Sequence, residues 1–115
     1  MKINNDNNSP RSFDDEQALS AVFRLLSHHR RRVTVQYLAT QNDPTSVTDV
    51  VDQIALLEDE QTDTYKFQIW MSLVHIHLPL LAEAAVIKFD PDRETVELDA
   101  QAKSMRSHLG LVAAD

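Results

Sequence analysis

The densest cluster of chemically capable side chains is a run of three arginines, Arg30, Arg31 and Arg32, directly after two histidines. Arginines near the start of a helix can bind phosphate groups, because the free backbone N–H groups there add to the attraction. Successive helical residues point in different directions, so the three side chains cannot share one surface. The run predicts either a contact with DNA phosphates or ion pairs with carboxylates of the preceding helix and of the acidic link at residues 58–64.

Four polar side chains at helical spacing interrupt the longest apolar segment. They are Lys66, Gln68, Ser72 and His75. Glutamine can read adenine with two hydrogen bonds, and lysine can reach guanine or a phosphate group. The set predicts the groove-facing side of a DNA-recognition helix, and the alternative is an ordinary solvated helix face.

Arg93 stands in the five-residue loop 90–94, which an Asp-Pro pair opens between two β-prone runs at residues 86–89 and 95–98. An arginine at the tip of such a hairpin can enter a minor groove or touch the DNA backbone. Three acidic residues surround it in the loop, so a solvated turn arginine is the alternative.

Catalytic and metal-binding chemistry has little support in the sequence. There is no cysteine, and the one glycine, Gly110, cannot form a phosphate-cradling loop, which needs several. His75 and His77 lie about 200° apart on a helix and cannot ligate one metal ion together. The carboxylate runs at residues 14–16 and 58–60 are expected in solvent, whereas acid–base catalysis needs a cleft. We therefore expect no catalytic residue, no metal site, no cofactor and no enzymatic activity.

Composition restricts the kind of protein further. Apolar residues make up 43% of the 115, and no apolar run approaches the roughly 20 residues that cross a membrane. The polar start of the chain lacks the apolar segment that secretion requires, so we expect a cytoplasmic protein without membrane contact. The net charge of −7 opposes nucleic-acid binding. Either the protein binds something else, or it works at high salt, where the Debye length is only about 3 Å at 1 M.

Helical periodicity predicts four helices. The first follows a polar, flexible tail at residues 1–12, begins after Ser12, and turns an apolar stripe to the core. Its stripe is Leu19, Val22, Phe23 and Leu26. The second runs from about His28 to Thr40, with Ser27 as its N-cap.

The third helix is capped by Ser46, with Asp49 completing an approximate capping box. Its predicted core stripe is Val47, Val50, Val51, Ile54 and Leu57. The fourth helix extends over about residues 64–78, and Pro79 then breaks or kinks it. Its apolar side is Phe67, Ile69, Trp70, Leu73, Val74, Leu78 and Leu81.

A hairpin follows the fourth helix, with its two strands at residues 86–89 and 95–98. We expect the four helices and the hairpin to form one domain over residues 13–99. The remaining segment, residues 100–115, is expected to form a final helix that serves in dimerisation.

Two quoted stretches resemble a known family: LLSHHRRRV at residues 25–33, and HLPLLAEAAVIKFD at residues 77–90. The pattern is similar to that of a family of small haloarchaeal domains of otherwise unknown function, regarded as winged helix-turn-helix DNA-binding proteins. The resemblance covers roughly residues 19–98. At the joint between recognition helix and wing, the family's usual glycine is replaced by Ala85.

Together, pattern and resemblance predict a mainly α fold with a small β-hairpin, a winged helix-turn-helix. The resemblance implies an archaeal, halophilic transcription regulator that binds double-stranded DNA as a homodimer. Its recognition helix would span about residues 64–78 and its wing about residues 86–98. The alternative is a winged-helix protein–protein interaction module without DNA binding. Cations that converge on one face would favour the first, and acids that cover that face would favour the second.

Overall fold

The computed structural model describes residues 8–104 as helices arranged around a small sheet. In chain order the elements are α1 (Asn8–Leu25), α2 (His29–Ala39), β1 (Thr45–Ser46), α3 (Val47–Leu57), α4 (Asp63–Ser72), a π turn (Leu73–His77), α5 (Leu78–Glu83), β2 (Ile87–Asp90), β3 (Thr95–Leu98) and α6 (Ala100–Ser104). Met105 and Leu109, which the sequence placed on a final helix, lie outside the described residues.

The sheet has three antiparallel strands in the order β1-β3-β2. Phe89 of β2 and Thr45 of β1 both lie opposite Val96 of β3. The sequence predicted only the β2–β3 hairpin, because a strand of two residues is too short to show alternation. Asp90 pairs with Thr95, which shortens the predicted five-residue loop to residues 91–94.

One hydrophobic core joins α2, α3, the α4–α5 segment and the sheet. Its fully covered side chains include Val35, Val47, Val50, Ile54, Ala55, Ile69, Leu73, Leu78 and Leu81. Three residues predicted to face the core are instead exposed: Phe23 by 47%, Leu57 by 56% and Phe67 by 59%. Each stands at the edge of its helix's apolar arc, and these arcs are broader than the core that covers them.

Several element boundaries differ from the predictions. α1 begins at Asn8 rather than after Ser12, and Pro10 in its first turn has no hydrogen bond to lose there. The N-cap of α2 is His28, whose Nδ1 accepts from the Arg30 N–H, and not Ser27. The Ser27 hydroxyl donates backward to the Arg24 carbonyl instead. The Ser46 cap of α3 is confirmed, since its hydroxyl accepts from the Asp49 N–H.

The long helical segment continues through Pro79 without a break. The π turn precedes it, with the Leu78 N–H donating to the Leu73 carbonyl. A wider turn at this point gives the proline ring room that an α-helical His75 carbonyl would deny it. The helical path therefore continues into α5.

The end of α5 is a Schellman motif. The Val86 N–H donates to the Leu81 carbonyl and the Ala85 N–H to the Ala82 carbonyl, both at 3.0 Å. Ala85 has φ 61°, the left-handed conformation that this motif normally assigns to glycine. The turn aims the chain from the helix directly into β2.

From α2 onward the chain runs through β1 and α3, then the helical segment of α4, the π turn and α5, and then the β2–β3 hairpin, an order typical of a winged helix-turn-helix. The mainly α fold with a small β wing is thus confirmed. Among residues 8–104, no helix combines the length and apolarity needed to cross a membrane.

Replacing Ala85 by glycine should stabilise the domain by about 1 kcal/mol, because the left-handed conformation strains any residue with a Cβ atom. Ala84→Gly is the matched control: Ala84 has φ −84°, so there the glycine should destabilise by roughly 0.5–1 kcal/mol. Urea unfolding of both variants measures the difference. Equal destabilisation by both would contradict the strain at Ala85.

Candidate functional site

The α3–α4 unit stands at the outside of the fold with its turn in solvent. α4 is capped by Thr62, whose hydroxyl oxygen accepts from the Tyr65 N–H. Ile69 is fully buried below the helix. Phe67, Gln68 and Met71 occupy its exposed side.

Arg30 is fully engaged inside the protein. Its Nε and Nη2 donate to the two carboxylate oxygens of Glu58, each at 3.0 Å, and its Nη1 donates to the Ser72 hydroxyl at 3.1 Å. The guanidinium also lies over the ring of Tyr65, 5.8 Å from its centre, and the Tyr65 hydroxyl donates to Glu58. Both charged side chains are largely covered, with 21% and 15% exposed. The predicted ion pair with the acidic link is therefore what Arg30 forms.

This ion pair has an electrostatic signature. The hydrogen bonds from Arg30 hold the pKa of Glu58 below its ordinary value, and those to Glu58 raise the pKa of Arg30. Glu58 was expected to be solvated like its neighbours, which is wrong for this residue. A cation from another helix recovers the cost of covering its carboxylate.

Arg31 and Arg32 bind backbone carbonyls at the end of α1. Arg31 Nε donates to the Leu25 carbonyl at 2.7 Å, and Arg32 Nη1 donates to the Leu26 carbonyl at 3.1 Å. Cations are favourable at a helix C-terminus, where the last carbonyls lack partners. The arginine run thus joins α1 and α2 and presents no common cationic surface, as its spacing predicted.

Of the four polar residues predicted on the fourth helix, two have side-chain partners within the protein and two are exposed. The Ser72 hydroxyl accepts from Arg30 and donates to the Ile69 carbonyl. Lys66 Nζ lies 3.2 Å from Asp52 Oδ1 of α3. Gln68 and His75 remain exposed.

Arg93 extends from the tip of the wing with 84% of its side chain exposed. Its nearest carboxylate is Asp90, at 3.9 Å. Asp90 also shapes the loop, since its Oδ1 accepts from the N–H groups of Asp92 and Arg93. Glu94 has φ 52° and completes the turn.

An aromatic pair is the feature that the sequence missed on this surface. Phe67 and Trp70 stack with ring centres 6.1 Å apart and planes tilted by 16°. Sequence periodicity assigned both to the core, but Phe67 is 59% exposed and Trp70 is only partly buried. Met71 beside them is 39% exposed. A groove of about 200 Å³ separates this pair from α3; its lining is Thr48, Val51, Asp52, Lys66, Phe67 and Trp70.

The charge around this groove is negative. Residues 46–72 carry six carboxylates and one cation, Lys66. Asp59, Glu60 and Asp63 stand at the start of α4, the position where a helix attracts an anion such as a DNA phosphate. Carboxylates therefore occupy the N-terminal end of α4.

A second cluster lies between the start of α2 and the π turn. His77 is 5% exposed, its Nδ1 has no hydrogen-bond partner, and its ring lies 4.3 Å from that of His28. Burial first, and then His28, lower the pKa of His77 from 6.5 to about 4. Helical periodicity places His77 on the core side as a buried, hydrogen-bonded histidine; the burial is confirmed, but Nδ1 has no partner. Within the described residues, no group of three or more potential ligands is placed to hold a metal ion.

The helices and the three-stranded sheet together form a small domain of the winged-helix class. The chain belongs to the DUF7344 family, described as a domain of unknown function, whose model matches residues 23–97. The match runs from the last turns of α1 into β3, which is the winged-helix body. No curated protein and no solved structure matches the chain.

Arg30→Met should destabilise the domain by about 2 kcal/mol, because it keeps the apolar stem and leaves a covered Glu58 carboxylate without its cation. Arg93→Met, at an exposed site, should change stability by less than about 0.5 kcal/mol. Chemical unfolding of both variants provides the comparison. If the two lose equal stability, Arg30 does not hold the helices together.

Stability should fall as pH falls from 6.5 towards 4. The unfolded chain takes up a proton at His77 below about pH 6.5, while folded His77 stays neutral until about pH 4. The free energy of unfolding should drop by up to about 3 kcal/mol across this window. His77→Leu should flatten the profile, whereas His75→Gln, at an exposed histidine, should leave it unchanged. A profile that keeps its slope in His77→Leu would assign the titration elsewhere.

Proposed function

We propose that this domain is a protein-interaction module built on the winged-helix fold, with the outward surface of α3 and α4 as its binding site. The observation that carries the proposal is the stacked Phe67–Trp70 pair on the solvent side of α4. Fold alone does not assign function, so the side chains at the site must decide between the uses of this fold.

The aromatic pair has the properties of an interface anchor. Trp is among the residues most enriched where truncation weakens binding, and aromatic side chains and Met are enriched in interfaces. Phe67, Trp70 and Met71 lie within one helical turn and expose apolar surface next to a groove. A partner that covers them would gain the burial that the protein's own core does not provide.

The charges of the same surface support a protein partner over DNA. Of the cations predicted to contact DNA, Arg30 is bound to Glu58, Arg31 and Arg32 to carbonyls, and Lys66 to Asp52. DNA affinity depends on neutralising phosphates with free cations. Instead of free cations, this face carries carboxylates at the start of α4, which would repel DNA phosphates.

Double-stranded DNA binding by a homodimeric transcription regulator is the second candidate. It is favoured by the winged-helix element order, by exposed Gln68 on α4 and His75 in the π turn, and by Arg93 at the wing tip. Exposed ion pairs such as Lys66–Asp52 contribute little, so phosphate can displace Asp52. This candidate requires salt high enough to screen the surrounding acids.

Two selections with the purified domain test the candidates together. Random linear peptides displayed on phage should yield enriched sequences, and Phe67→Ala should weaken their binding by at least about tenfold, as for an interface anchor. Gln68→Ala, also on the exposed side of α4, is the matched control and should bind them as wild type does. Circular dichroism confirms that both variants fold.

Random duplex DNA, selected over a salt series up to about 1 M, should yield no enriched motif. Recovery of a palindromic motif that is lost in Gln68→Ala or Lys66→Ala would overturn the proposal in favour of the DNA-binding regulator. Absence of enriched peptides would equally count against it.

A further inference from the structure

The groove beside the aromatic pair has the size and walls for one inserted side chain. Val51 of α3 is buried at its base, and Phe67 and Trp70 of α4 form its aromatic side. Its volume is about 200 Å³. Thr48, Asp52 and Lys66 form the polar rim. A side chain bound in this groove therefore needs a long apolar stem that packs against the rings and a polar end that reaches the rim.

The carboxylates in and around the rim favour a cation for that polar end. Asp52 is 51% exposed and binds Lys66, and Asp49 is exposed one helical turn earlier on α3, outside the groove lining. Asp49 has no ion-pair partner among the side chains that the structure describes. Asp63 adds a further exposed carboxylate at the start of α4. Electrostatic complementarity then favours a positively charged partner segment.

Arginine satisfies both requirements better than lysine. Its planar guanidinium stacks on aromatic faces, is weakly hydrated, and can bind a carboxylate with two hydrogen bonds. It can exchange with Lys66 at Asp52 at little cost, because exposed lysine–carboxylate pairs contribute less than about 1 kcal/mol. The lysine ammonium group is strongly hydrated, has no planar face to stack on a ring, and cannot form a bidentate pair with a carboxylate.

We propose that the α3–α4 groove binds an arginine-bearing segment of a partner protein, with one arginine side chain against Phe67 and Trp70 and its guanidinium on the carboxylate of Asp52. This inference rests on the proposed function and specifies the chemistry of its partner.

The peptides selected by the domain provide the test. Enriched sequences should contain arginine beside aliphatic residues, and synthetic copies should bind wild type with a change in the fluorescence of Trp70, the single tryptophan. Copies with lysine in place of arginine should bind at least about fivefold more weakly, and copies with glutamate at least about tenfold more weakly.

Asp52→Asn should weaken binding of the arginine peptide several-fold, whereas Asp92→Asn on the wing removes the same charge elsewhere and should leave the affinity unchanged. Enriched peptides that depend on Phe67 but are neutral or acidic would overturn the arginine inference while the proposed function stands. An equal loss in Asp92→Asn would reduce the effect to overall charge and also overturn it. A selection that yields no peptide removes both.

Discussion

The Arg30–Glu58 ion pair is the interaction on which the arrangement of the helices depends. One guanidinium at the start of α2 binds the C-cap of α3 through Glu58 and reaches Ser72 of α4. It thereby sets how α4 lies against the other two helices, in addition to the core beneath them. The same bonds keep the Arg30 guanidinium from binding a partner at the surface. The stability of the fold and the charge of its outer face are therefore linked through one residue.

Much of the fold could be predicted from the sequence, because its signals are local. The Ser46 cap and the α3 stripe of Val47, Val50, Val51 and Ile54 depend on neighbouring residues and are confirmed, whereas Leu57 of that stripe is exposed. In β3, buried Val96 and Leu98 alternate with half-buried residues. The resemblance covers roughly residues 19–98, and the family model that matches residues 23–97 is described only as a domain of unknown function. Ala85 stands where the family's usual glycine is found, and the structure gives it φ 61°, a conformation that glycine adopts without strain.

The site could be predicted only in part, because its contacts join residues far apart in the chain. Spacing showed that the three arginines cannot share a surface, but not that Arg31 and Arg32 bind the carbonyls of Leu25 and Leu26. Periodicity marked Phe67 as apolar, yet only packing decides how much of an apolar arc is covered. The exposed aromatic side chain that carries the proposed function therefore looked like core in the sequence.

Backbone hydrogen exchange can locate the surface of the domain that a bound partner covers. With a selected peptide bound, amides in the α4 range Asp63–Ser72 should exchange more slowly, while those of the wing strands stay as in the free domain. Protection confined to α4 and the facing part of α3 would place a protein segment on this surface, as the account predicts. Protection of α4 and the wing together by duplex DNA, with none by peptide, would contradict the account and identify a DNA-binding domain.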